Sequence, residues 1–191
     1  SHPDIIVLYD DISIELIPVT CSELILNSDF ENGTTAFWVP ESRSDVLAEI
    51  VSPGADGSRY AGMFSHVKSN RNYKMEQYID SRCLEDGLSF IITAEFKLVN
   101  KTDSSGMSCN PHDRNQYSGR ACPYAGMYAS GCNSGDGINA IFWNEIGGWD
   151  PNEFNAFSYE FKVSPELASC SSIRIRFLEQ LSEGAALIVD N

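Results

Sequence analysis

Residues 86 to 98 read Asp-Gly-Leu-Ser-Phe-Ile-Ile-Thr-Ala-Glu-Phe-Lys-Leu, a turn dipeptide followed by a run with an apolar residue at every second position. A period of two is typical of a β-strand that buries one face and exposes the other. Asp-Gly is a frequent turn sequence between strands. The stretch therefore predicts a long, half-buried strand that begins directly after a turn.

Short runs of the same kind recur along the chain. Turn signals such as Asn32-Gly33, Pro53-Gly54 and Gly147-Gly148 separate them, and no stretch keeps the period of an amphipathic helix for long. The predicted strands are residues 5–17, 22–27, 45–51, 59–65, 73–79, 88–98, 138–143, 156–163 and 172–179. Many short strands with glycine-rich turns predict an all-β sandwich, of the jelly-roll or immunoglobulin-like kind.

One long segment lacks this strand pattern. Residues 101–137 are rich in Ser, Gly, Asn and Cys. An irregular segment of this length inside a compact domain is usually either functional or disordered, and three cysteines argue against disorder. We predict a jelly-roll domain at residues 21–191 with a cysteine-rich loop insertion at 101–137, preceded by an N-terminal extension at residues 1–20.

The charge of the chain excludes one class of partner. Lys and Arg total 13 against 27 Asp and Glu, a formal net charge of −14. Such a protein repels nucleic acid phosphates and anionic lipid surfaces, so no nucleic acid partner is expected. The acidic residues are spread along the chain, which is typical of a solvated surface and leaves divalent cation binding open. No window approaches the roughly 18 consecutive apolar residues of a transmembrane helix.

The cysteines indicate an oxidising compartment. They are even in number and include no Cys-x-x-Cys pair, which favours disulfides over a zinc or redox site. The six are Cys21, Cys83, Cys109, Cys122, Cys132 and Cys170. Their pairing stays open, but Cys109, Cys122 and Cys132 are expected to staple the insertion, with at least one bond to the body of the domain. Sequons at Asn32 and Asn100 predict N-glycosylation. A secreted or cell-surface protein is therefore predicted.

Four segments carry a family resemblance. They are residues 24–33 (Leu-Ile-Leu-Asn-Ser-Asp-Phe-Glu-Asn-Gly) with Trp38, residues 56–61 (Asp-Gly-Ser-Arg-Tyr-Ala), residues 77–80 and 84–98, and residues 149–163 with 187–190. In this order they resemble the carbohydrate-binding modules with a galactose-binding-like β-jelly roll that are often attached to xylanases and glucanases. Most of the chain is covered, apart from residues 1–20 and the insertion. The resemblance implies the fold more strongly than it implies a sugar, because such jelly rolls also serve as receptor and structural units.

The resemblance implies a structural calcium ion between the opening turn and the last strand. Calcium accepts six to eight hard oxygen ligands in a flexible arrangement. The matching residues in this chain are Asp29, Glu31, a backbone carbonyl at Ser58 or Arg59, and Asp190. Calcium is therefore the expected cofactor, in a structural role.

The resemblance also implies sugar binding by exposed aromatic planes on a concave face, with amide and carboxylate groups beside them. The candidate carbohydrate-binding residues are Tyr73, Gln77, Tyr78, Tyr128 and Trp143. Most strand aromatics simply pack in a core, and no motif locates the binding ones. Catalysis has no comparable signal, since the chain contains no nucleophile elbow and no zinc-protease motif, and its histidines are scattered. We therefore predict that the protein is not an enzyme.

The two ends of the chain carry similar sequences. Residues 7–14 read Val-Leu-Tyr-Asp-Asp-Ile-Ser-Ile and residues 187–191 read Leu-Ile-Val-Asp-Asn, so that Asp10 aligns with Asp190. The opening copy resembles the last strand of a preceding unit, and an extended segment can complete the sheet edge of a neighbour by β-augmentation. The residues suited to donation are Ile5, Val7, Tyr9, Ile12, Ile14 and Leu16.

Two functions follow from these observations. The first is head-to-tail assembly through the opening strand into a fibre or a multi-module surface protein, with neighbouring copies of the chain as partners. The alternative is a secreted carbohydrate-binding module that recognises a polysaccharide, in which residues 5–16 are the domain's own edge strand. The sequence favours assembly, because the repeated terminus has a physical consequence while the sugar site has no located residues.

Overall fold

Two antiparallel β-sheets of five strands each make up the described part of the protein. The computed structural model describes residues 21, 23–40, 46–66, 73–114, 121–143, 148–179 and 184–191. The first sheet has the strand order β1-β4-β9-β6-β7 and the second has the order β2-β3-β10-β5-β8. The strands are β1 (Val39–Pro40), β2 (Val46–Val51), β3 (Ala61–His66), β4 (Tyr73–Ile79), β5 (Ser89–Asn100), β6 (Tyr124–Ser130), β7 (Ile138–Phe142), β8 (Asn155–Lys162), β9 (Ser172–Glu179) and β10 (Ala185–Asp190).

Within the described ranges, helical structure is confined to three single turns. They are the 3₁₀ turns Ala55–Gly57 and Ser81–Cys83 and the α-helix α1 (Pro165–Ala168). The α1 turn begins at Ser164, whose hydroxyl accepts a hydrogen bond from the Leu167 amide, as expected of an N-cap serine followed by proline. None of the described helices is long and apolar enough to cross a membrane.

The core lies between the two sheets and contains a connected group of aromatic rings. Trp38 stacks on Phe177 with ring centroids 5.1 Å apart, and Phe96 contacts both Phe157 and Phe177 at 5.4 Å. Phe30 is fully buried beside Trp38. Every second side chain along a strand points towards this core. The side chains between them form the outer faces of the sandwich.

The predicted all-β sandwich is confirmed, with two antiparallel sheets. The pattern placed most strands correctly, and β4 has the bounds that were predicted. The predicted strand at residues 22–27 is wrong over its described residues, which form no strand. Gln77 in β4 takes the place of a strand partner there, since its side chain exchanges two hydrogen bonds with the Leu26 backbone. The predicted strand at residues 5–17 lies outside the described residues.

The insertion predicted at residues 101–137 contains a central strand that the sequence pattern missed. β6 lies between β9 and β7 in the first sheet. Its core-facing residues include Ala125 and Ala129, which pack against Ile173 and other large residues of the neighbouring strands. Small side chains in the middle of a crowded core do not give the apolar alternation expected of a strand. The described irregular residues before β6 are therefore 101–114 and 121–123, and the predicted boundary at residue 137 is corrected.

Three disulfides join the six cysteines. Cys109 pairs with Cys122 inside the irregular segment, Cys132 pairs with Cys170, and Cys21 pairs with Cys83. The expectation that Cys109, Cys122 and Cys132 staple the loop and bind it to the body of the domain is confirmed. Disulfides of this number are consistent with an extracellular location.

Candidate functional site

The outer face of the first sheet gathers aromatic and charged side chains. In β9 the residues Ile173, Ile175 and Phe177 enter the core, so alternation turns Arg174 and Arg176 to the outer face. Backbone register aligns Tyr78 of β4, Arg174 of β9 and Tyr128 of β6 in one row across the sheet. The neighbouring row contains Glu76, Arg176 and Gly126. We call these six residues the tyrosine-arginine face.

The two tyrosine rings of this face flank a guanidinium. The Arg174 guanidinium lies 5.4 Å from the ring centroid of Tyr78 and 4.7 Å from that of Tyr128. The Arg176 guanidinium lies 4.6 Å from the Tyr128 ring. Cations over aromatic faces attract the ring quadrupole and hold the ring in place. Tyr78 is 57% exposed and Tyr128 is partly exposed, so flat aromatic surfaces remain open to a ligand.

A nearly buried carboxylate lies in the neighbouring row of this face. Glu76 Oε1 accepts a hydrogen bond from Arg174 Nη1 at 2.7 Å, and Glu76 Oε2 lies 3.9 Å from Arg176 Nε. Glu76 and Arg176 are each 3% exposed. Oε2 accepts no hydrogen bond within the described part of the chain. Oε2 is itself buried, and the nearby Arg176 guanidinium compensates its charge.

Trp143 extends the aromatic surface beyond the face. It follows β7 directly, and its ring lies 4.3 Å from the buried ring of Tyr124 at the start of β6. The Arg114 guanidinium, from the segment closed by the Cys109–Cys122 disulfide, lies 5.4 Å from the Trp143 ring. Tyr124 and Tyr128 are four residues apart on one strand, which corresponds to about 13 Å. Aromatic groups therefore line the length of β6.

The structure brings together three of the five predicted carbohydrate-binding residues. Tyr78 and Tyr128 lie in one row, and Trp143 lies at the Tyr124 end of β6. Gln77 is corrected: it faces the core, is 2% exposed, and exchanges two hydrogen bonds with the Leu26 backbone at 2.6 and 2.9 Å. Tyr73 begins β4, and its side chain lies outside the described ones.

Sequence reasoning missed the charged members of the face. Glu76, Arg174 and Arg176 occupy strand positions that alternate with apolar residues, a pattern usually typical of a solvated strand face. The sequence did hold one signal, since Ser-Ile-Arg-Ile-Arg-Phe at residues 172–177 places both arginines on the same face. Only the register shows that Glu76 lies beside them and that two tyrosines flank them.

The residues predicted to bind calcium hold the opening turn and the last strand together by hydrogen bonds. Asp190 is fully buried and accepts hydrogen bonds from the Ala55 amide at 2.7 Å and from the Ser58 hydroxyl. Glu31 Oε1 accepts from the amides of Arg59 and Tyr60 at 2.7 and 3.0 Å.

As arranged, these groups bind one another through hydrogen bonds. N–H and O–H hydrogens already point at oxygens of Glu31 and Asp190, the Ser58 carbonyl accepts from the Gly54 amide, and Asp29 accepts from the Glu31 amide. No three His, Cys, Asp or Glu side chains in the described ranges gather into a group that could hold a metal. Calcium binding stays a prediction.

Repulsion among acids near Asp190 gives a testable pH dependence. Burial raises the pKa of Glu95, and Asp56 and Asp190 raise it further. A raised pKa in the folded state means that charged Glu95 lowers stability, and that this cost disappears as the pH falls below the ordinary value of 4.5. Glu95→Gln is therefore expected to raise the thermal midpoint at pH 7 but not near pH 3.5.

Differential scanning calorimetry at both pH values checks this expectation. Glu160→Gln is the matched control, because Glu160 is an exposed acid on neighbouring β8. An equal rise in the thermal midpoint of both variants at pH 7 would show that the effect comes from the change in net charge and not from the environment of Glu95.

The remaining predicted sites are surface features or lie outside the described residues. The Asn32 side chain accepts hydrogen bonds from Thr34, and the Asn100 side chain accepts one from the Thr102 amide. Glycosylation at both stays a prediction. The six predicted assembly residues, from Ile5 to Leu16, lie outside the described residues. Head-to-tail assembly therefore also stays a prediction.

Comparison with solved structures places the fold among carbohydrate-binding jelly-roll modules. The second family 22 xylan-binding domain of Xyn10C from Paenibacillus barcinonensis superposes with a TM-score of 0.56 and 12% identity, over 85% of this chain and 93% of that one. A family 16 carbohydrate-binding module superposes with a TM-score of 0.53 and 17% identity, over 88% of this chain and 96% of that one. At these identities the likeness establishes the fold.

An enzyme also shares the fold in part. The enzymatically active domain of tailspike protein 4 from bacteriophage CBA120 superposes with a TM-score of 0.53 and 13% identity, over 86% of this chain but only 20% of the tailspike chain. No protein-family model and no curated protein matches the sequence. The structural neighbours agree with the resemblance that the sequence motifs indicated.

Proposed function

We propose that this chain is a non-catalytic, extracellular carbohydrate-binding module that holds a polysaccharide against the tyrosine-arginine face. The observation that carries the proposal is the row formed by Tyr78, Arg174 and Tyr128, in which two accessible rings flank a guanidinium. Sugar rings present apolar C–H faces and polar edges, so a site for them needs flat apolar surfaces with a few fixed polar groups. This face offers both on rigid strands.

The polar groups of the face suit neutral sugar hydroxyls. The Arg174 guanidinium can donate to a hydroxyl oxygen, and the hydroxyl groups of Tyr78 and Tyr128 can donate or accept. Because Arg174 already pairs with Glu76 at 2.7 Å, much of its charge is compensated. Neutral hydroxyls beside a compensated cation favour a polyol ligand over a simple anion.

The length of the surface supports a polymer as ligand. Trp143, which packs on the buried Tyr124 ring, lies at one end of β6, and Tyr128 lies about 13 Å further along the strand. That distance exceeds the width of a single sugar ring. Two of the similar solved modules are described as xylan-binding domains, which makes xylan the first polysaccharide to test.

The alternative of head-to-tail assembly receives less support. Its residues lie outside the described part of the chain, and the similar structures include carbohydrate-binding modules that match this chain over most of their own length. Both functions are compatible in one extracellular protein, but the carbohydrate proposal rests on a located group of side chains.

Native gel electrophoresis through polysaccharides tests the proposal. The protein is run in gels containing soluble xylan, mixed-linkage β-glucan, galactomannan or no polysaccharide. We expect retardation in at least one polysaccharide gel, with xylan first among them, and no retardation in the plain gel. Unchanged mobility in every gel at millimolar sugar equivalents would contradict carbohydrate binding. Serum albumin in each lane controls for sieving.

A further inference from the structure

Phe37 is exposed in a backbone conformation that bulky side chains rarely adopt. Its φ is +74°, in the left-handed region that favours glycine, and its side chain is 57% exposed. Phe30 has a similar φ of +54°, but it is fully buried against Trp38 and Phe64, and this burial offsets the cost of its conformation. The exposed Phe37 ring gains much less from burial. Residues with such backbone strain cluster at functional sites.

The turn around Phe37 is fixed by contacts on both sides. The Asn27 side-chain amide donates hydrogen bonds to the carbonyls of Thr34 and Ala36 at 2.8 and 3.4 Å. On the other side, Trp38 is 5% exposed in the core, and its indole Nε1 donates to the Asn27 carbonyl at 3.3 Å. The backbone at Phe37 is therefore held in place before any ligand arrives, which lowers the entropic cost of binding there.

Phe37 lies beside the β4 margin of the tyrosine-arginine face. β1 is antiparallel to β4 and pairs Val39 with Glu76, so the chain before Val39 runs towards the level of Tyr78. Val39 is 42% exposed and Tyr78 is 57% exposed. Exposed apolar side chains next to fixed polar groups are typical of a ligand-binding surface. The fold thus adds an aromatic ring to the margin of the face.

We propose that Phe37 is a stacking residue for the polysaccharide and extends its binding site from the tyrosine-arginine face to β1. This inference rests on the proposed function. Tyr128 lies on β6, and the strands β9 and β4 separate β6 from β1. Three interstrand spacings correspond to about 14 Å. A ligand that contacts both Tyr128 and Phe37 must therefore contain several linked sugar units.

The chemistry of the ring defines what Phe37 adds to the site. Phenylalanine has no hydrogen-bonding group, so it stacks on the apolar C–H face of a sugar ring without reading the orientation of its hydroxyls. Arg174 and the tyrosine hydroxyls of the face supply the directional contacts. Phe37 consequently makes affinity depend on the length of the bound chain and not on the identity of the sugar.

Isothermal titration of the full chain with the polysaccharide that it binds, and with the disaccharide to hexasaccharide of that polymer, tests the proposal. Phe37→Gly should weaken binding of the polysaccharide and the hexasaccharide about 10-fold and leave binding of the disaccharide unchanged. Because glycine adopts a positive φ without steric cost, this variant should keep or raise the thermal midpoint.

Two control variants separate the ring from the backbone. Phe37→Tyr keeps a flat ring at the same φ and should retain the affinity of the unmodified chain. Leu88→Gly removes a side chain that is 43% exposed and directly precedes β5 of the second sheet, and it should not change the affinity.

The possible failures can be told apart. Equal affinity of Phe37→Gly and the unmodified chain for the hexasaccharide, while Tyr128→Ala binds more weakly, would overturn the role of Phe37 and leave the proposed function intact. A thermal midpoint lowered by more than about 3 °C in Phe37→Gly would overturn it too, since the ring would then serve the fold. Absence of binding by the unmodified chain would overturn the proposed function and this inference with it.

Discussion

Tyr128→Ala is expected to weaken polysaccharide binding about 30-fold, equivalent to roughly 2 kcal/mol. The ring is the partner of both arginines, with centroid distances of 4.7 and 4.6 Å to the guanidinium groups of Arg174 and Arg176. Its removal takes away a stacking surface and also frees the two guanidinium groups to adopt other orientations. Aromatic residues at the centre of a binding surface commonly carry losses of this size.

Isothermal titration with the polysaccharide that retards the protein most measures this loss. Tyr78→Ala is expected to weaken binding in the same direction, because Tyr78 flanks Arg174 from the other side. Leu47→Ala is the control, since Leu47 is an exposed apolar residue on β2 of the second sheet. Unchanged affinity for Tyr128→Ala and Tyr78→Ala would move the binding site away from the first sheet.

Asp190→Ala is expected to lower the free energy of unfolding by about 3 kcal/mol. The carboxylate is fully buried and accepts hydrogen bonds from the amides of Ala55 and Asn191 and from the Ser58 hydroxyl. Alanine leaves the Ala55 amide and the Ser58 hydroxyl without this acceptor. Gly54 lies so close to Asp190 that a Cβ at position 54 would overlap the carboxylate, which shows how tightly the carboxylate packs against this turn.

Urea unfolding with the disulfides oxidised measures the change, since the m-value shows whether the unfolded state is altered. Glu160→Ala serves as the control because Glu160 is an exposed acid on β8 of the same sheet. If Asp190→Ala lowers the free energy of unfolding no more than the control does, the buried carboxylate makes no net contribution to stability. Its hydrogen bonds would then only offset the cost of burying the charge.

The strands that alternate most clearly were predictable from the sequence. β5 and β9 have apolar residues at every second position, so their burial could be read directly from the period. β6 was not predictable, because it fills the centre of the first sheet with Ala125, Met127 and Ala129. The large side chains around β6 leave room only for small residues at Ala125 and Ala129. This packing cannot be read from the local sequence pattern.

The candidate site was partly predictable for a similar reason. Aromatic residues on strands are visible in the sequence, and the fold brings three of the selected ones, Tyr78, Tyr128 and Trp143, to one face. Gln77 was misplaced because side chains alternate along β4, so Gln77 faces the core when its neighbour Tyr78 faces outward. The choice of polar neighbours did not take this alternation into account. The Glu76 contact with Arg174 joins residues 98 positions apart, which requires strand register.

The most direct test of the carbohydrate proposal is NMR titration of the isotope-labelled protein with oligosaccharides of the polysaccharide that it binds. We predict shift changes concentrated at the Trp143 indole, at the amides of Gly126 and Tyr128, and at the guanidinium signals of Arg174, with little change on the second sheet. Shift changes confined to other surfaces, or no changes at saturating oligosaccharide, would contradict the central claim that this face binds a polysaccharide.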